Sequence, residues 1–382
     1  MGVWAAAIAL EPHMAELPVT LTLAVNGTPT PADDLTGIPT AVFSGTAQNL
    51  NQQTLAKFRR RMGGAELPPA SQSIEQLQSE LFAAMATPAP AMRWDRAVIS
   101  RRDMIFPPAN QHNAWQDRAE ITEIEGTHTP QWQPIIDAFI INKSLVQRRF
   151  HRSAGTYRDS ATVQQRIAGH LWDLWQKYAE KEPIDMLELG YGTGIFTELY
   201  TRKLKFRSLQ LWDMLELPTA AKGATTRACD AEIAVRSLPA DSVDAVASAS
   251  TMQWFNSPAA FLQQVERALK PGGLAVLSTF GPDTFGELTA AGVTPLPYMA
   301  PDALRRIVTA AGLEPLELHS GTITLAFDSP LQVLRHLQAT GVNARPTSAS
   351  VHEIIRRYPL RAESGDAELT YQPIYLIARK PE

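Results

Sequence analysis

The most constraining stretch of the chain is Met186-Leu187-Glu188-Leu189-Gly190-Tyr191-Gly192-Thr193-Gly194-Ile195-Phe196. An apolar run from Ile184 to Leu189, interrupted only by Asp185 and Glu188, reads as a buried strand, and Gly190, Gly192 and Gly194 come directly after it. The pattern predicts a strand, a tight turn and a helix starting near Ile195. Glycine permits positive φ in such a turn and lets a ligand lie against bare backbone, while the helix start offers unpaired N–H groups. A nucleotide-like cofactor suits that loop. The spacing excludes the dinucleotide fingerprint G-x-G-x-x-G and the phosphate loop, which needs Lys-Ser/Thr after its last glycine.

Beyond the glycine loop, strands and acids alternate in a matching order. Ser208 to Trp212 reads as a second strand closed by Asp213, and an acid at that position accepts hydrogen bonds from both hydroxyls of a ribose. A third short strand precedes Cys229-Asp230, Val243 to Ser248 forms a fourth, Leu274 to Thr279 a fifth after the Lys270-Pro271-Gly272-Gly273 turn, and Leu369 to Ala378 a last strand. Strands alternating with helices predict a parallel sheet with its ligand beyond the carboxyl ends of the strands.

The form E-x-G-x-G-x-G resembles motif I of class I S-adenosylmethionine (SAM) methyltransferases. That resemblance implies that Glu188, Gly190, Gly192 and Gly194 form the cofactor loop, and that Asp230 accepts from the adenine amino group. Phe150-His151-Arg152-Ser153-Ala154-Gly155-Thr156-Tyr157, the pair Gln253-Trp254 and the run Ser278-Thr279-Phe280-Gly281-Pro282 are similar to segments of malonyl-acyl carrier protein O-methyltransferases, the BioC type of biotin synthesis. In that family a helix closes over SAM, so Tyr157 is expected to contact the cofactor, and Gln253 and Trp254 to edge its pocket. Gly341-Val342-Asn343-Ala344 matches an extra segment expected above the active site.

The 382 residues allow two or three domains, and 45% hydrophobic with 19% charged residues is a globular balance. A net charge of −4 argues against nucleic-acid binding. Cys229 is the single cysteine, which rules out an internal disulfide framework and favours a reducing, cytoplasmic setting. No apolar run approaches the roughly 18 residues of a membrane span, and the apolar start from Met1 to Leu10 has no basic flank, so no membrane association is expected.

The first part of the chain has a separate pattern. Met1 to Leu10, Leu55 to Arg61 and Ser73 to Met85 are predicted helices, the last with Ser73 and Gln76 at capping-box spacing, and Leu17 to Val25, Ile38 to Ser44, Ala97 to Ser100 and Ile121 to Ile124 are predicted strands. Asp103 and His128 each come just after a strand, as the acid and base of a hydrolase triad would. Ala24-Val25-Asn26-Gly27-Thr28-Pro29, Lys57-Phe58-Arg59-Arg60-Arg61-Met62 and Asp103-Met104-Ile105-Phe106-Pro107 together resemble the BioG-type pimeloyl-acyl carrier protein methyl ester esterases, which are α/β-hydrolase-like. The resemblance puts the triad acid and base on Asp103 and His128. Met1-Gly2-Val3-Trp4 looks like the part of the nucleophile elbow just after its serine, so the 382 residues are expected to lack the nucleophile and ester hydrolysis.

The expected architecture is α/β throughout. Residues 1–137 form a partial α/β-hydrolase-like domain, and residues 138–382 form a class I, Rossmann-like SAM-methyltransferase domain, in which a long helical stretch from Asp137 to Lys181 with breaks near Gly155 and Gly169 comes first. The resemblance implies methylation of the free carboxylate of malonyl-acyl carrier protein. A malonyl carboxylate is ionised near pH 7 and needs no general base, so no metal and no catalytic His or Lys is expected. The carrier is acidic, which makes Arg148, Arg149, Arg152, Arg356, Arg357 and Arg361 candidate docking residues. Two alternatives are methylation of another small acceptor, and a SAM- or carrier-binding module without turnover.

Overall fold

The computed structural model describes residues 2–13, 21–63, 72–88, 91–92, 94–179, 184–342 and 349–382. Its contacts divide the chain into two units, Met1–Ile135 and Ile136–Glu382.

In the first unit three parallel strands, β1 (Leu23–Val25), β2 (Arg96–Ser100) and β3 (Glu120–Ile124), lie in that order. The central strand buries Ala97, Val98, Ile99 and Ser100 in succession, as a strand covered on both faces must. Helix Gly2–Leu10 contributes Val3 and Ala7, one turn apart, to a core with Ala24, Trp94, Ile99 and Trp115. The expected strand at Ile38 to Ser44 is instead part of helix Thr40–Gln48. Its buried residues are Phe43 and Ala47, four apart, while Val42 is exposed, so the run has a helical rather than an alternating period. Asp34 also accepts from the Thr40 N–H at 2.7 Å, which occupies a donor that a helix start leaves free. Of the expected strand at Leu17 to Val25, residues 17–20 lie outside the described residues.

The second unit is built on β4 (Ile184–Leu189), β5 (Phe206–Asp213), β6 (Thr225–Ala228), β7 (Val243–Ser248), β8 (Leu269–Phe280), β9 (Glu314–Ser320), β10 (Ile323–Phe327), β11 (Ala367–Tyr371) and β12 (Pro373–Arg379). Seven of them form one sheet in the order β6-β5-β4-β7-β8-β12-β9, with β12 antiparallel to both neighbours and the other adjacent pairs parallel. Alternation along each strand sorts side chains to two cores. Met186, Val276 and Ile377 face one beneath helices Thr162–Trp175 and Ile195–Thr201, and Leu187, Leu277 and Leu376 face the other beneath helices Pro258–Ala268 and Pro301–Ala310.

Two expectations fail here. The last strand, expected as one from Leu369 to Ala378, is two, because β11 pairs with β10 in a separate ribbon and only β12 joins the large sheet. The long helical stretch breaks at Ile140–Asn142 and at Ala161, whereas Gly155 and Gly169 lie inside helices Lys143–Ser160 and Thr162–Trp175. A glycine within a helix costs only about 1 kcal/mol, which packing of Val163, Ile167, Leu171 and Trp175 exceeds. Asn343 and Ala344 of the extra segment are outside the described residues. No described helix is long and apolar enough to cross a membrane.

Candidate functional site

The sheet order reverses between β4, which continues to β5 on one side, and β7 on the other. At that switch point the carboxyl ends of both strands open into a crevice. Gly190, Gly192 and Gly194 leave β4 with φ of +71°, +52° and +81°. The Gly190 N–H donates to the Trp212 carbonyl at 2.7 Å, and a Cβ at Gly190 would stand 2.2 Å from Thr251 Oγ1. A Cβ at Gly192 would meet nothing within 4 Å. One glycine is therefore required by packing, and the other leaves space in front of bare backbone.

Asp213, at the end of β5, faces this loop. Its Oδ2 accepts from the Gly192 N–H at 2.9 Å and its Oδ1 from the Leu215 N–H at 2.9 Å. Burial raises its pKa and these N–H groups oppose the rise. Asp230 comes after β6 and caps helix Ala231–Ala234, with Oδ1 accepting from Lys143 Nζ at 3.3 Å and from the Glu232 N–H at 3.1 Å. Both acids line one cleft with Gly190, Gly192, Thr193, Ser250, Trp254 and Phe255.

Helix Lys143–Ser160 borders the same cleft with Lys143, Val146, Gln147, Phe150, Ala154 and Tyr157. Phe150 stands edge-to-face with Trp254 and with Tyr157, at centroid separations of 5.6 and 6.1 Å. Burial, with the Asp213 charge adding to it, pushes the Tyr157 phenol upward, so it stays protonated and a hydrogen-bond donor at neutral pH.

Two of the residues singled out in the sequence are turned elsewhere. Glu188 is buried beneath the loop and accepts from Thr197 Oγ1 at 2.6 Å and from the Tyr200 hydroxyl. Burial drives its pKa up to about 7. It borders a smaller adjoining hollow with Tyr157, Gln164 and Ser250. Gln253 folds back so that its Nε2 donates to the Ser250 carbonyl at 2.6 Å.

Sequence reasoning passed over three side chains. Ser250 holds φ of +56°, unusual for a residue with a Cβ, and its buried Oγ has no hydrogen-bond partner. The buried Thr193 Oγ1 is also without one. Each such hydroxyl costs about 1–3 kcal/mol while unpaired. Lys143 pairs with both Asp230 and the buried Glu232, the latter at 2.8 Å. Ser250 was findable as a residue just past the fourth strand; Lys143 carried no local signal.

In the first unit Asp103 and His128 do meet. His128 Nδ1 lies 3.0 Å from Asp103 Oδ2, and Asp103 further accepts from the Ile105 and Phe106 N–H groups and from Gln111 Nε2. The His128 ring stacks on Phe106. Asn26 fixes the loop by donating to the Thr127 and His128 carbonyls. Among the described residues no hydroxyl is hydrogen-bonded to His128 Nε2. The described residues hold no cluster of three or more metal-ligating side chains.

Residues 1–133 match the family described as pimeloyl-ACP methyl esterase BioG, and residues 161–318 match a methyltransferase domain family. The chain is 33% identical to the malonyl-[acyl-carrier protein] O-methyltransferase of Bacteroides fragilis, with 100% of this chain and 82% of the relative covered. It is also 33% identical to the enzyme of that name from Prosthecochloris aestuarii, over 63% of this chain and 94% of the relative. Among solved structures it is similar to BioG from Haemophilus influenzae, with 39% identity, a TM-score of 0.30, and 33% of this chain and 63% of that one covered. A Bacillus halodurans protein described as a methyltransferase gives 17% identity and a TM-score of 0.43, covering 56% of this chain and 99% of that one. With a methyltransferase domain behind a BioG domain, the chain belongs to the family of malonyl-[acyl-carrier protein] O-methyltransferases, which use S-adenosylmethionine.

Proposed function

We propose that the second unit transfers a methyl group from SAM to the free carboxylate of a malonyl group carried on acyl carrier protein, as its relatives' names describe. The observation that carries this reading is the cleft itself. Two acids at adjacent strand ends, bare glycine backbone and two unpaired hydroxyls, from Thr193 and Ser250, fit the ribose, adenine and amino-acid groups of SAM. Asp213 would take the ribose hydroxyls, Asp230 the adenine amino group, and Gly190 to Gly194 the amino-acid end with Ser250 and Thr193. Trp254 and Tyr157 would wall the methyl-bearing side, while Glu188 and Gln253 would hold the loops from behind.

When bound, SAM supplies an activated methyl group on a sulfonium centre. The chain's contribution is alignment and the exclusion of water, because the ionised carboxylate is already a nucleophile. The apolar faces of Val146, Phe150 and Trp254 remove solvent from the two opposite charges and strengthen their attraction. The reaction requires no proton transfer, because the carboxylate is ionised near pH 7.

In the first unit, a histidine oriented by a fully hydrogen-bonded carboxylate suits the acid and base of an ester hydrolase. With no described hydroxyl on His128 Nε2, we propose that the 382-residue chain does not hydrolyse a pimeloyl methyl ester.

The test is transfer of labelled methyl from SAM to malonyl-acyl carrier protein by the purified chain, with malonyl-CoA in parallel. Labelled carrier thioester is expected. Bound SAM without label on either acceptor would replace this reading with that of a binding module or of a different acceptor.

A further inference from the structure

Helix Lys143–Ser160 has two faces with different work. Its inward residues, Lys143, Val146, Gln147, Phe150, Ala154 and Tyr157, recur at helical spacing and form one wall of the cofactor cleft. On the opposite side Arg148 and Arg152 are exposed, Arg149 is half-buried, and none of the three has an ion-pair partner among the described residues. From Lys143 through Arg158 the helix contains no acidic residue. A cationic surface therefore lies on the outside of the cleft's own wall.

The helix is tied to three segments that border the cleft, and outside it Thr156 Oγ1 donates to the Ala339 carbonyl at 3.0 Å. Lys143 Nζ reaches Asp230 and Glu232, Gln147 Nε2 donates to the Met214 carbonyl at 2.8 Å, and Arg158 donates to the Thr193 carbonyl at 3.2 Å while pairing with Glu198. These segments come after β6, β5 and β4 respectively, so the wall spans all three loops assigned to the cofactor. A ligand lying between the helix and those loops adds contacts to both, and it stabilises the closed placement over any placement in which the helix is lifted. The arginines are carried on that helix, so their placement follows that of the helix.

We infer that cofactor occupancy builds the docking surface for the acyl carrier protein. Arg148, Arg149 and Arg152 receive its acidic face, beside the cleft into which its acyl arm must reach, and they do so more tightly when the cleft is filled. This rests on the reading that the acceptor is borne on an acyl carrier. Charge complementarity selects an acidic partner, and such a contact is weakened by salt. Because coupling free energy is reciprocal, the carrier must tighten cofactor binding by the same factor.

The experiment titrates fluorescently labelled malonyl-acyl carrier protein with the full chain, with and without saturating S-adenosylhomocysteine. Carrier affinity about 10-fold higher with the cofactor product is expected, a factor within the usual range of coupling between sites. The double variant Arg148→Glu, Arg152→Glu should weaken carrier binding in both states and leave S-adenosylhomocysteine affinity within about 2-fold, since these side chains are outside the cleft. Lys143→Met should bring the coupling factor toward 1 while retaining carrier binding to the free protein. Equal carrier affinity with and without S-adenosylhomocysteine overturns the inference and leaves the methyl-transfer reading standing. Absence of carrier binding in both states, with no methyl transfer to it, overturns both.

Discussion

The Asp103–His128 pair and the cleft proposed for the cofactor are opposite kinds of polar site. Asp103 is saturated, with two backbone N–H groups, the Gln111 amide and His128 on its two oxygens. Such an arrangement fixes the orientation of an imidazole and asks for no ligand. In the cleft the Thr193 and Ser250 hydroxyls are buried without partners, and Ser250 sits in a backbone conformation that costs about 1–2 kcal/mol for a residue with a Cβ. Saturation positions a proton-transfer group, and deficit marks a place where a polar ligand supplies the missing partners. The contrast holds for the Asp103 carboxylate and the cleft hydroxyls and not for the units as wholes, since Gln111 Oε1 and Trp94 Nε1 in the first unit are also buried without partners.

The contrast breaks most sharply at Asp213. Replacing it with Ala should lower S-adenosylhomocysteine affinity roughly 1,000-fold, about 4 kcal/mol for two hydrogen bonds to a charged group. Calorimetric titration reads this, and unchanged affinity would remove the cleft from consideration as the cofactor site. Asp103→Ala is the counterpart. It strands the Ile105 and Phe106 N–H groups and the Gln111 amide, so β2 and β3 should lose about 3 kcal/mol of hydrogen-exchange protection. Cofactor affinity should not move, and a large loss there would show that the sites are not independent.

The smallest effect concerns Glu188, whose pKa rises from 4.5 to about 7 on folding through burial. The folded protein then binds more protons than the unfolded one between those values. Stability is greatest below about pH 4.5 on account of this group and falls as pH rises through 7. Glu188→Gln should flatten that component of the pH dependence and add about 2 kcal/mol above pH 7, since an amide oxygen can still accept from Thr197 and Tyr200. Chemical denaturation at pH 5 and pH 8 measures it. A variant less stable at pH 8 would mean that the hydrogen bonds from Thr197 and Tyr200 to the carboxylate outweigh the cost of its burial.

Much of the arrangement was legible because it is local. The strand before Gly190, the positive φ of the three glycines, the Ser73–Gln76 capping box and the strand-end acids Asp213 and Asp230 derive from residue type and near-neighbour spacing. Misreadings occurred where distant residues decide. Thr40 to Ser44 carries β-branched and aromatic residues that suit a strand, yet its first N–H is taken by Asp34 and its Phe43 and Ala47 turn together to the interior. Gly155 and Gly169 looked like helix breaks, and the packing around them carries the helices through.

By itself the sequence determined two α/β units, the strand and positive-φ glycine turn proposed to hold the cofactor, and the family resemblance of both units. Those depend on periodicity and on what glycine and carboxylate side chains can do within a few residues. Only the tertiary structure decided that Glu188 serves the loop from beneath, that Ser250 and Thr193 are left unpaired, and that Lys143 spans 87 residues to reach Asp230. The physical reason is that burial and hydrogen-bond satisfaction belong to groups brought together across the chain, and no window of neighbouring residues contains them.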